Sequence, residues 1–128
     1  MFIGTSINES PVINGKAAAA ITGGAMLAAT LGSTGVAVAG AGEAAVGLII
    51  AETDDVAAGG DVTIQVKDIG LWKVGAAVTA GALLASDANG KAITAASGKF
   101  IVAQALEAAT AADQVIRVQI IKAGYASA

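Results

Sequence analysis

The chain has 128 residues, 55% of them hydrophobic and 3% aromatic, and a net charge of −3; that length suits one ordinary domain or two very small ones. It holds no Cys and no His, which excludes disulfides, thiolate nucleophiles, the usual zinc sites and every His-based triad. Seven scattered basic residues against ten acidic ones leave no electrostatic footprint for nucleic acid.

Much of the apolar fraction is alanine, whose methyl group buries little area, and stabilisation follows buried apolar area at roughly 25 cal/mol per Å². The larger apolar residues are mostly Val and Ile, which favour strands. A core this thin predicts association with further copies or with a larger scaffold.

In chain order, residues 1–15 stand apart and contain the only proline, Pro11. They read as an extended N-terminal arm with apolar beads at Phe2, Ile3, Ile7, Val12 and Ile13, which either cover the body or engage a partner. No Lys or Arg occurs there, which argues against a signal peptide. Ala17 to Gly42 carries no charge and is long enough to span a membrane. Five glycines (23, 24, 32, 35 and 40) interrupt it, and no Lys/Arg cluster flanks it.

A repeat explains that stretch better. Lys16 to Ala28 reads against Lys73 to Ala85 without a gap, with Lys16/Lys73, Thr22/Thr79, Gly24/Gly81 and Leu27/Leu84 coinciding. After small gaps, Asp61 to Lys67 echoes Asp113 to Ile120. The chain therefore divides into an arm (1–15), a first β unit (16–72) and a second β unit (73–128), the two units packed as one body. The second copy carries Asp87, Lys91 and Lys99 where the first is uncharged, so the membrane reading falls.

Each unit reads as strands. Met26 to Thr30 and Val36 to Val38 flank a turn at Gly32 to Gly35, and Leu83 to Ser86 and Lys91 to Thr94 flank Asp87 to Gly90; Asn and Gly suit such turns. Apolar strands follow at Val46 to Ile50 and Phe100 to Leu106. Val62, Ile64 and Val66, and later Ile116, Val118 and Ile120, alternate with polar residues as half-buried strands do. Glu107 to Asp113 is Ala-rich and suits a loop or a short helix. Leu71 and Trp72 lie at the joint, where the Trp either plugs the packing of the halves or anchors a subunit interface.

Three motifs invite a sharper reading. Gly40-Ala-Gly-Glu-Ala-Ala45 resembles a dinucleotide fingerprint, but Val46 to Ile50 suits a strand where a helix is needed. Gly98-Lys99 lacks the upstream glycine and the hydroxyl of a phosphate loop. Glu52, Asp54, Asp55 and Asp61 match no Ca²⁺ loop spacing and read as a solvated loop. No constellation points to catalysis, a cofactor or a metal.

Val78-Thr-Ala-Gly-Ala-Leu-Leu-Ala-Ser-Asp-Ala-Asn-Gly-Lys91, then Ile101 to Glu107, then Asp113 to Ile120 resemble the phage capsid decoration, or cement, proteins. Gln104 departs from the pattern, standing where a glycine is expected. The resemblance implies an all-β body, a small β-barrel or β-tulip of two tandem repeats with an extended arm. It implies a virion protein on the outer surface of the capsid that binds and stabilises the major capsid protein lattice, often as a homotrimer. On that footing Phe2, Ile3, Ile7, Val12 and Ile13 are the expected capsid contacts, with no enzymatic activity and no nucleic-acid or membrane partner. Two alternatives remain open at this point. One is a self-assembling surface or fibre protein. The other is a carbohydrate- or cell-surface-binding β module, which the scarcity of aromatic stacking platforms disfavours.

Overall fold

The computed structural model describes residues 11–22, 26–50 and 54–127. Among these there are ten strands and no helix. The first five are β1 (Val12–Lys16), β2 (Ala28–Gly32), β3 (Gly35–Val38), β4 (Gly47–Ile49) and β5 (Asp61–Gln65), arranged β1-β5-β4-β2-β3 in one sheet. The others are β6 (Asp68–Lys73), β7 (Leu83–Ser86), β8 (Ala92–Thr94), β9 (Phe100–Ala105) and β10 (Val115–Tyr125), arranged β6-β10-β9-β7-β8. The second order is the first repeated, strand for strand, and every ladder pairing is antiparallel.

The expectation of an all-β body holds, but neither sheet closes into a barrel. In each, the two edge strands are joined by one isolated parallel bridge, Ala17 to Val36 and Val74 to Ala92. A single bridge leaves most of each edge outside any ladder.

Hydrogen bonds refine the internal correspondence. Gly59 donates to the Ala17 carbonyl as Asp113 donates to that of Val74, at 2.7 and 2.8 Å, and both residues have left-handed backbones. Val62 and Ile64 therefore correspond to Ile116 and Val118, two residues away from the match read in the sequence. Likewise Ile49 donates to the Leu27 carbonyl as Ala105 donates to that of Ala82. Leu27 thus corresponds to Ala82 rather than Leu84, and a gap falls before it. Alanine-rich sequence offers several near-equal alignments, whereas a ladder permits one.

The hairpins form at the expected turns. Asp87 Oδ1 accepts the backbone N–H groups of Asn89 and Lys91 at 2.8 and 3.0 Å, an Asx-type closure that competes well with water. Gly40 to Glu43 is also a turn, in which the Gly40 N–H donates to the Glu43 side chain. It leads into strand β4, so the nucleotide-loop pattern has no helix behind it. Glu107 to Asp113 is a loop, fastened by the Ala109–Val78 bridge as Val56–Ile21 fastens the first copy.

Strand alternation sorts the core into two clusters. Ala29, Ile49, Val62 and Ile64 fill the first sheet's own concavity with Ala17, Ile21 and Val36. Their neighbours Ala28 and Leu48 point the opposite way, into a cluster with Trp72, Val74, Leu84, Val102 and Val118 of the second half. The first sheet is thus buried on both faces around β2 and β4, which is why small Ala residues serve there.

Trp72 is the largest fully buried side chain. Its indole Nε1–H donates to the Gly90 carbonyl at 2.8 Å, and Ala28 N–H donates to that same oxygen at 2.9 Å. The hydroxyl of Ser86 donates to the Gly40 carbonyl at 2.6 Å, and Lys73 N–H donates to that of Met26 at 2.9 Å. Each buried polar group at the joint therefore has a partner, as burial requires.

Candidate binding surface

Cross-strand register defines the outward face of the second sheet. Leu83, Gln104, Gln119 and Ile69 stand opposite one another across β7, β9, β10 and β6. Residues paired in this way project from the same face. One step along lie Leu71 and Arg117, paired with each other, and Leu106, whose N–H donates to the Arg117 carbonyl at 3.0 Å. Ile69 and Leu71 are 57% and 49% exposed, Leu83 43% and Leu106 38%. Grouped apolar exposure of this kind marks interaction surfaces, whereas isolated exposed leucines do not.

Where β6 passes β4, this face borders a cleft of about 440 Å³ lined by Met26, Leu48, Ile50, Ile69 and Leu71, with Gln65 and Arg117 as its polar members. Gln65 shapes the floor: its amide donates to the carbonyls of Lys67 and Ile69 at 2.9 and 2.7 Å. An added Cβ at Gly70 would lie 2.8 Å from the Gln65 side chain.

Ion pairs lie at this face and elsewhere on both units. Glu107 Oε2 accepts the Arg117 backbone N–H at 2.9 Å and its Nε–H at 3.1 Å. The backbone bond, then the guanidinium, hold the Glu107 carboxyl below its ordinary value. Lys91 Nζ lies 2.6 Å from Asp113 Oδ1; that hydrogen bond lowers the Asp113 pKa and raises that of Lys91. Lys16 pairs with Asp61 at 2.6 Å. Exposed pairs of this kind fix geometry more than they stabilise.

Of the sequence-derived contact residues, Phe2, Ile3 and Ile7 lie outside the described residues. Val12 and Ile13 are half-buried in β1, opposite Gln65 and Ile64, and Ile13 packs on the first core. Strand β1 therefore lies partly inside the stretch read as arm, because these two residues complete the first sheet. At the joint, Trp72 is fully buried while its neighbour Leu71 opens onto the cleft. Ile69, Leu83, Leu106 and Val115 were missed as surface residues. Their signal was adjacency: of Leu83 and Leu84, consecutive in a strand, only one can face the core.

Among the described residues no three acidic side chains gather as a metal site would need. Nor is any helix there long and apolar enough to cross a membrane.

Two like sheets, a thin shared core and an outer face with grouped exposed apolar residues form an all-β body with a surface suited to binding. The chain matches the phage cement proteins over residues 7–120 and belongs to that family. It is accordingly a capsid-decorating, capsid-stabilising protein of the outer surface of the virion. The head fiber gp8.5 N base of bacteriophage phi29 is similar in fold, with a TM-score of 0.64 at 16% identity over 88% of this chain and 95% of that one. Among curated protein sequences none matches this chain.

Proposed function

We propose that the protein decorates the head by binding the major capsid protein as a homotrimer, does no covalent chemistry, and uses the segment ahead of β1 as its capsid arm. The observation that supports the arm is the position of β1 at the edge of its sheet, with exposed Pro11 directly before it. Pro11 is tied to the body, since its carbonyl accepts the Val66 N–H at 2.8 Å. A chain leaving from a sheet edge can add to a partner's strands through main-chain bonds, with alternate side chains as anchors. Phe2, Ile3 and Ile7 are those anchors. Many copies on one lattice multiply a weak contact into lasting attachment.

Deletion of residues 1–10 tests this while leaving β1 intact. The shortened protein is expected to fold, with unchanged Trp72 fluorescence, and to lose at least about tenfold in affinity for undecorated heads, or about 1.4 kcal/mol. Undiminished cosedimentation would remove the arm from the account.

A further inference from the structure

The two sheets share one plan, but the same face is treated differently in each. In the first sheet the row Ala28, Leu48, Gln65 and Val12 runs across β2, β4, β5 and β1. In the second, Leu83, Gln104, Gln119 and Ile69 hold the same positions across β7, β9, β10 and β6. Ala28 and Leu48 are 0% and 1% exposed because the second unit lies on them. Among the described residues none lies in the same way on Leu83, which is 43% exposed.

An uncovered face ought to be the more polar of the two. The reverse holds at both ends of this row. Leu83 replaces Ala28 and Ile69 replaces Val12. One step along, Leu71 stands where the first sheet has Asn14, and Val115 where it has Asp61. Gln104 in place of Leu48 and Arg117 in place of Thr63 are the exceptions. A larger apolar side chain, Leu83, thus sits where the internal template covers Ala28, and Ile69, Leu71 and Val115 extend that face over positions whose first-sheet counterparts Val12, Asn14 and Asp61 are half-buried or exposed.

That template also says what does the covering. The hairpin turn of the second unit carries Gly90, whose carbonyl accepts the Ala28 N–H and whose α-carbon abuts Leu27 and Val38. The bridges Ala17–Val36 and Val74–Ala92 align the two β-hairpins, so Thr34 holds Gly90's place in the first unit. Thr34 is exposed. So is Leu31 of the same hairpin, at 52%.

We infer that copies of this chain associate head to tail, the β2–β3 hairpin of one copy seating on the outer face of the second sheet of the next. The contact repeats between chains the packing already present within each chain. It is heterologous, so it joins different patches and closes into a ring when the rotation allows. The inference deepens the oligomer proposed above and rests on it.

Sedimentation of the full chain and of Leu83→Glu, together with disulfide trapping, tests it. The wild-type chain is expected to be oligomeric at tens of micromolar. Leu83→Glu is expected to weaken association at least about tenfold, with Trp72 emission unchanged. The chain has no cysteine, so an equimolar mixture of Thr34→Cys and Leu83→Cys chains should form a mixed disulfide on oxidation. A mixture of Asp54→Cys with Leu83→Cys should not. An oligomer that survives Leu83→Glu and yields no mixed disulfide overturns this seat while leaving the oligomer standing. A monomeric wild-type chain overturns both. Should Leu83→Glu fail to fold, the disulfide result decides.

Discussion

Replacing Trp72 with Ala is expected to destabilise the protein by about 3–5 kcal/mol, the usual cost of removing a large buried aromatic. Trp72 is fully buried, and its contacts reach the core shared by both halves. The cavity would open between Leu48 of the first sheet and Val74 and Val118 of the second, and the surrounding strands can collapse only partly because their ladders hold them. The Gly90 carbonyl would keep the Ala28 N–H, so the loss is mainly packing, with the indole hydrogen bond adding about 1 kcal/mol. Urea unfolding followed by far-UV circular dichroism measures the change, since the variant lacks the only Trp. Trp72→Phe should recover more than half of the loss. A midpoint unchanged from wild type in the Ala variant would mean that the joint does not hold the halves together.

Gly90→Ala is the second large effect, expected at about 2–5 kcal/mol. Two costs combine. Gly90 has φ 78°, a conformation that costs an L-residue about 1–2 kcal/mol. A Cβ there would lie 2.5 Å from Val38 Cγ1 and 3.3 Å from the Ala28 carbonyl oxygen, and such overpacking typically costs about 1–3 kcal/mol. Gly98→Ala separates them. Gly98 has φ 80° with nothing within 4 Å of the added carbon, so its substitution carries the backbone cost alone. Chemical denaturation of both variants should show Gly90→Ala the more damaging; equal losses would show that the halves are not tightly seated at this turn.

The fold was legible in the sequence because its signals are local. Alternation over Ile116, Val118 and Ile120, the Asp87 to Gly90 turn and the reappearance of Lys16 as Lys73 each depend on a few neighbouring residues. The registration of the repeat was less legible, since alanine matches alanine at many offsets and only the paired bonds of Gly59 and Asp113 decide. Closure into a barrel, one of the two shapes the resemblance implied, is not reached, because a resemblance carried by turns and alternation does not reveal how far two edges run together. The binding face was the least legible. Ile69, Leu83 and Leu106 look like core residues in a list of apolar positions, and only the register shows that their strands turn them outward. Trp72 and Leu71, read together as joint residues, separate into one sealed side chain and one open to the cleft, as neighbours on a strand must.

The most direct test of capsid decoration is titration of undecorated heads with the purified full chain, counting bound copies and following the temperature at which heads rupture. The account predicts saturable binding in a fixed ratio to the capsid lattice and a rupture temperature that rises with occupancy. Heads that bind no protein, and that rupture at the same temperature with it as without it, would contradict it.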